Sequence, residues 1–213
     1  IMLPTLVPKS LVKKIKEQGW GRMWSRDRPN LYDGEPWGWD NGAYSWWVKG
    51  LQFHDGTFYK RLWRDYLVGV PYLAACPDKP AEGKMSLEFS LWWIERLPKA
   101  WPWYLVVQDG MTSDMVTPHL SQFSGLFLGG TNEFKQEAKM WCDLAHRHGK
   151  LFHYGRCGTL NKLRHAQMVG ADSIDSSTPV QKPHKMDAFI AAANGKYHQF
   201  EIPLDTSPVD GLH

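Results

Sequence analysis

The stretch Val169-Gly-Ala-Asp-Ser-Ile-Asp-Ser-Ser-Thr178 places two carboxylates, Asp172 and Asp175, in an apolar, strand-like segment just after a helix that Gly170 would stop. Three residues apart on an extended chain, the two side chains point to opposite faces, so at most one enters a given site. One is then a reagent and the other a support. Asp172 reads as a structural acceptor for backbone near the strand end. A carboxylate at the C-terminal end of a short buried strand is where a parallel α/β barrel keeps its chemistry. Three earlier stretches share this character: Trp39-Asp-Asn-Gly-Ala-Tyr44, Ala75-Cys-Pro-Asp78 and Val106-Val-Gln-Asp-Gly110. Singly, each has a plainer use. Asp175 would serve as a cap or turn residue, Asp40 sits in an Asn-Gly turn signal, Asp78 follows Pro77 in a loop, and Gln108-Asp109-Gly110 fits a bare β-to-α turn. His153 reads as a satisfied core histidine rather than a catalyst.

The elements that position these groups alternate. Residues 8–19 predict a helix with Leu11 and Ile15 on one face, lysines on others and Gly19 as its stop. Residues 21–36 read as a polar, arginine-bearing loop broken by Pro29, Gly34 and Pro36, and a strand follows from Trp37. Phe58, Leu62 and Tyr66 recur at spacing four, an amphipathic helix over 55–67. A buried strand is expected over 68–76, then a helix over 86–97 with Ser86 as N-cap and Pro98 beyond its end. Residues 103–110, 125–130 and 151–156 are further strands. Between them, Thr131 caps a helix over 132–148 with Phe134, Ala138, Trp141, Leu144 and Ala145 as its apolar stripe, and 159–169 is the next helix.

About six strands with polar groups at the ends of most favour a barrel over an open sheet with one switch point. At 213 residues the chain is shorter than the roughly 250 typical of such barrels. The expected fold is therefore α/β, a compact or irregular (β/α)8 TIM-like barrel. One domain spans 1–213, with a basic segment at 1–36 and a C-terminal appendage at about 195–213 holding a short strand over 197–202.

The 43% hydrophobic and 22% charged content is that of an ordinary globular protein, and no apolar run is long enough to cross a bilayer. Residues 1–8 are too short and uncharged for a signal peptide, so a cytoplasmic location is expected. Three cysteines without a C-x-x-C pairing suit reduced thiols and supply no zinc knuckle, while His146 and His148 point apart on a helix. No metal site is expected. The net charge of +3 is mild. Its clusters, Lys9, Lys13, Lys14 and Lys16, then Arg22, Arg26 and Arg28, then Lys60, Arg61 and Arg64, read as solvated faces, with phosphate contact as the sharper alternative. Most of the twelve tryptophans belong to core or rim, and a minority reading stacks some of them on bases.

Six motifs stand in the order, and near the spacing, of the guanine transglycosylases: Asp40-Asn-Gly-Ala-Tyr-Ser45, Cys76-Pro-Asp78, Val107-Gln-Asp-Gly110, Phe127-Leu-Gly-Gly-Thr131, His153-Tyr-Gly-Arg156 and Gly170-Ala-Asp-Ser-Ile-Asp175. Over roughly 37–178 the chain most closely resembles the phage DpdA family, which is similar to the tRNA-guanine transglycosylases but exchanges guanine in DNA for a 7-deazaguanine. The resemblance implies that Asp175 is the nucleophile that attacks the anomeric carbon, and that Asp40 is the general acid/base on the ring nitrogen. It implies that Asp78 accepts from the guanine N–H edge, that Gln108 and the Gly129-Gly130 backbone donate to the purine carbonyl, and that Tyr154, Gly155 and Arg156 line the sugar side.

The implied partners are DNA, with its target base extruded, together with free guanine and the incoming 7-deazaguanine base. No cofactor is required, and a homodimer or a partner protein is left open. Two departures stand out. The tRNA enzymes' C-terminal zinc-binding Cys/His cluster is lacking, which disfavours tRNA, and Asp109 stands where those enzymes often carry glycine. The competing expectations are a tRNA-directed exchange enzyme and a catalytically silent nucleic-acid-binding subunit.

Overall fold

The computed structural model describes residues 1–25 and 34–195. Short apolar segments form eight strands: β1 (Met2–Pro4), β2 (Gly21–Trp24), β3 (Trp37–Trp39), β4 (Leu73–Ala75), β5 (Trp103–Val107), β6 (Gly125–Leu128), β7 (Leu151–Tyr154) and β8 (Ser173–Ile174). They lie in sequence order in one sheet, each parallel to the next. A parallel bridge from Met2 to Asp175, with the Ser176 N–H donating to Met2 O at 2.9 Å, joins last strand to first. Parallel neighbours need a crossover of a dozen or so residues, normally helical. The helices α1 (Lys9–Glu17), α2 (Ala43–Trp47), α3 (Asp55–Tyr66), α4 (Gly83–Ile94), α5 (Ser113–Val116), α6 (Ala138–Arg147) and α7 (Leu160–Val169) run between strands, and α8 (Thr178–Gln181) and α9 (Met186–Ala193) follow the last. The expected (β/α)8 TIM-like architecture is present.

Inward and outward side chains alternate along each strand. The outward set packs on the helices as the main core and includes Trp39, Trp103, Leu105, Phe152 and Tyr154. The inward set, Met2, Met23, Leu73 and Tyr104 with Phe127 against them, fills the barrel axis. The early tryptophans are mostly structural, as composition suggests. Trp24 stacks on Trp37 with centroids 4.1 Å apart, and Trp39 meets Trp101 and Trp103 edge to face.

Several local expectations are corrected. The basic segment's residues 1–25 form the first two strands and first helix of the barrel, and β2 stands where a loop was expected. β2 was hidden because Arg22 breaks its apolar run; the side chain is buried and ion-paired to buried Glu35 at 2.6 Å, which rules out phosphate contact for Arg22. Arg26, Arg28, Pro29 and the expected strand at 197–202 lie outside the described residues. The strand expected over 68–76 is confined to Leu73–Ala75, and Val70 and Tyr72 before it are exposed. The helix expected over 132–148 splits into a 3-10 turn at Phe134–Glu137 and α6, though its whole apolar stripe is buried. Among the described residues, no helix is long and apolar enough to cross a membrane.

Candidate active site

Asp40, Asp78, Gln108, Gly129, Gly130, Arg156 and Asp175 line one cavity of about 140 Å³ at the C-terminal end of the barrel, floored by Met23 and Phe127. Each comes from the loop after a different strand, with Gly129 and Gly130 sharing one. Two expected members are elsewhere. β7 alternation turns His153 inward and Tyr154 outward, where the Tyr154 hydroxyl lies 3.4 Å from His165 Nδ1 in the helix layer. Gly155 acts through its backbone, its carbonyl accepting from Lys135 Nζ.

Asp40 is fixed by its own turn and by α3. Its N–H donates to Trp24 O at 2.9 Å, and its Oδ1 accepts from the Gly42 N–H at 2.9 Å. The Arg61 guanidinium donates to both Asp40 O and Ser25 O while lying 3.9 Å over the Trp39 ring. Arg61 is thus neither a solvated face nor a phosphate contact. Burial lowers its pKa to about 10, against the opposing pull of Asp40 and Asp65. Burial also raises the Asp40 carboxyl, and the Asp175 charge adds to it, while the Gly42 N–H and Arg61 oppose.

Asp78 is buried, and both its oxygens have partners: Asn41 Nδ2 donates to Oδ1 at 2.8 Å and Gln108 Nε2 to Oδ2 at 3.2 Å. Burial, foremost, with Asp40 nearby, raises its pKa to about 7. Gln108 differs from its expected role. Its Nε2 also donates to Ser86 Oγ at 2.7 Å and Lys79 O at 3.1 Å, and its Oε1 accepts from the Ala81 N–H at 2.9 Å. That amide positions Asp78 rather than reaching out to a ligand carbonyl. Ser86, expected as a cap, is a buried residue inside α4 that anchors Gln108. The two loops approach closely because Gly83 and Gly110 lie back to back; a Cβ on Gly83 would come 3.1 Å from Gly110 Cα.

The Gly129 N–H is committed to Val107 O at 2.8 Å. Gly130 has φ +72°, and a Cβ there would meet Asp109 Oδ2 at 2.6 Å and the Phe134 ring at 2.8 Å. Only glycine fits that turn. Asp109 secures the loop, accepting from the Thr131 N–H at 2.8 Å and the Thr131 hydroxyl at 2.5 Å.

Asp175 Oδ1 lies 3.1 Å from His153 Nε2 and accepts from the Arg156 N–H at 2.9 Å. Burial alone would raise this carboxyl; His153, the Arg156 N–H and Lys135 outweigh it, and the pKa falls below the ordinary value. His153 is wholly buried, and burial lowers its pKa against the pull of Asp175. A carboxylate only accepts, so Nε2 of the neutral ring carries the proton, and Nδ1 accepts from the Ser173 hydroxyl at 2.8 Å. Asp172, at the opposite end of β8, accepts from the Phe152 N–H at 2.7 Å and pairs with His146 Nε2 at 2.9 Å. The opening pair of carboxylates thus divides as the spacing requires, and exposed His146 is tied to β8 through Asp172.

Asn41 and Lys135 were not singled out from the sequence as site residues, and His153 was read as a core histidine, which its full burial bears out. Asn41 was read only as a turn former, yet it bridges Cys76 O and Asp78. His153 carried a usable signal: apolar Phe152 and Tyr154 face outward, so the residue between them faces the barrel axis. Lys135 had no such mark. It is buried, and burial together with Arg156 brings its pKa down to about 7.

Two carboxyl groups on one cavity are therefore driven apart, Asp40 toward the protonated form and Asp175 toward the ionised one, which is the arrangement of a general acid beside a nucleophile. A scan of the chain against models of known protein families finds no match, and a search of curated proteins finds none.

Proposed function

We propose that this chain exchanges guanine in DNA for a free 7-deazaguanine base through a covalent aspartyl-sugar intermediate. The observation that supports this most is the divergence of Asp40 and Asp175 around a slot whose remaining walls suit a planar base. In the first step an Asp175 oxygen bonds to C1′ of the nucleotide, the C1′–N9 bond breaks, and the protonated Asp40 gives its proton to a ring nitrogen of the departing guanine. In the second, N9 of the incoming base bonds to C1′ and the ester bond to Asp175 breaks, while the N9 proton passes to Asp40. Two displacements at one carbon retain configuration at the sugar.

Within the slot, Asp78 presents carboxylate lone pairs to N–H donors on the purine edge, held in place by Asn41 and Gln108. The Gly130 N–H, which has no hydrogen bond among the described residues, takes the donor role to the purine carbonyl that Gln108 leaves. His153 keeps the nucleophile ionised, and the Arg156 N–H aims it. Neither displacement calls for a metal or an organic cofactor. The choice of DNA over tRNA rests on the motif resemblance.

Labelled guanine offered with duplex DNA tests the reading. The wild-type protein incorporates label, mass spectrometry of the nucleosides finds the 7-deazapurine after incubation with that base, and Asp175→Ala does neither while keeping its fold. DNA binding without incorporation would identify a silent binding subunit instead. Incorporation into tRNA in preference to DNA would reassign the polymer.

A further inference from the structure

A second cavity, of about 470 Å³, adjoins the base slot and shares Tyr44, Pro80, Gln108, Gly130 and Arg156 with its lining. It offers a path for a strand whose target base occupies the slot. We propose that the outer cavity seats the neighbouring nucleotide of a single-stranded or locally opened DNA strand, its base against Trp47 and its phosphate between Arg156 and Lys162. The proposal rests on the exchange reading for the register of the strand, and on the cavity's own chemistry for its ligand.

The aromatic wall is built by α2. Tyr44 and Trp47, three residues apart on one helix face, are 47% and 50% exposed, with ring centroids 5.8 Å apart and planes tilted by 32°. Of the exposed indoles Trp47, Trp63 and Trp92, Trp47 is the one in the lining of this cavity. The Tyr44 ring already carries the Arg156 guanidinium at 4.5 Å, which leaves Trp47 as the open platform. Stacking on an indole suits any base, because every base has a π face.

The cationic wall faces it. Lys162, in the first turn of α7, donates to Asn132 Oδ1 at 2.7 Å, and the Arg156 side chain donates to Gly130 O; both partners are neutral. Neither cation has an ion pair among the described residues. The two acids on this wall are Glu133 and Asp109; Asp109 keeps its charge while both its oxygens accept from Thr131, and the Arg156 charge helps to hold its pKa low. A flat hydrophobic face opposite two cations that have no acid within ion-pair distance among the described residues fits a base with its phosphate better than it fits a free base, which has no anion to place.

Fluorescence anisotropy with a short, dye-labelled, single-stranded oligodeoxynucleotide containing one guanine measures this without requiring exchange. Trp47→Ala weakens binding about tenfold, the loss of one base stack. Lys162→Gln lowers the slope of log affinity against log salt by about 0.7, one phosphate on a single strand. Trp63→Ala, which removes an exposed indole from α3 outside this cavity, leaves both unchanged. No binding by the wild type, binding by Trp47→Ala within twofold of it, an unaltered salt slope for Lys162→Gln, or an equal loss from Trp63→Ala would each overturn the proposal, as would tighter binding of the matching RNA. Exchange that survives with Trp47-independent binding sinks this inference alone. Trp47-dependent binding with no exchange sinks the enzymatic reading and leaves the subsite standing.

Discussion

A carboxylate kept ionised inside a protein needs donors that cannot swing away, and Asp175 has two: a histidine fixed by burial and a backbone N–H. Removing the histidine donor leaves burial to raise the carboxyl. His153→Leu should therefore move the acid limb of the exchange rate to higher pH, and His153→Gln, which restores an N–H donor, should move it back. Coincident acid limbs for wild type and His153→Leu would remove His153 from the mechanism. Asp78 gives a stability test with the opposite sign. Unfolded, it ionises near its ordinary 3.8; folded, it holds its proton to about 7. Its contribution is present below the unfolded value and is lost as pH rises through the folded one, a change of about 4 kcal/mol at most. Asp78→Asn does not titrate, so urea midpoints should show the wild type losing ground to the variant between pH 4 and pH 8 (roughly the window of that titration), whatever pH-independent cost the amide brings. Parallel curves would contradict the raised pKa.

Among the elements, α3 does the least obvious work. Its apolar stripe was legible from Phe58, Leu62 and Tyr66, but Arg61 looked like one more surface cation. In the fold it ties the loops after β2 and β3 together above buried Asp65. Arg61→Met should destabilise the protein by about 3 kcal/mol or more, because it strips a partner from a buried carboxylate as well as releasing Asp40. A loss below about 1 kcal/mol in thermal or urea unfolding would show that the contact is incidental. The strands divide in the same way. β5, β6 and β7 could be read because their apolar runs end in polar turn residues, whereas β1 is a three-residue strand and β2 contains an arginine whose neutralising Glu35 stands 13 residues further along the chain. Pattern shows a side chain's class and not its partner, so a paired Arg22 and a solvated one look alike.

Across the whole molecule, the closed ring of strands separates chemistry from support. Asp172 and His146 fasten the N-terminal end of β8, and Asp40, Asp78 and Asp175, with their perturbed carboxyls, gather at the C-terminal mouth. The barrel class was legible because strand-end residues recurred with each turn of the alternation, and so was the convergence of Asp40, Asp78, Gln108 and Asp175 on one cavity. What that convergence concealed was the hydrogen bonding within it, which turns Gln108 toward Asp78 and brings in Asn41 and His153. Among the described residues, both non-glycine positions with left-handed backbone, Ala81 at φ +64° and Arg156 at φ +53°, lie at this mouth, and each directs its N–H onto a site side chain. Such strain persists where surrounding structure enforces it, commonly at functional sites. The most direct measurement is a denaturing gel of the protein incubated with guanine-containing DNA and no incoming base. A covalent protein–DNA species should appear with the wild type, disappear on adding free guanine and be missing from Asp175→Ala; the same species formed by Asp175→Ala would contradict the account.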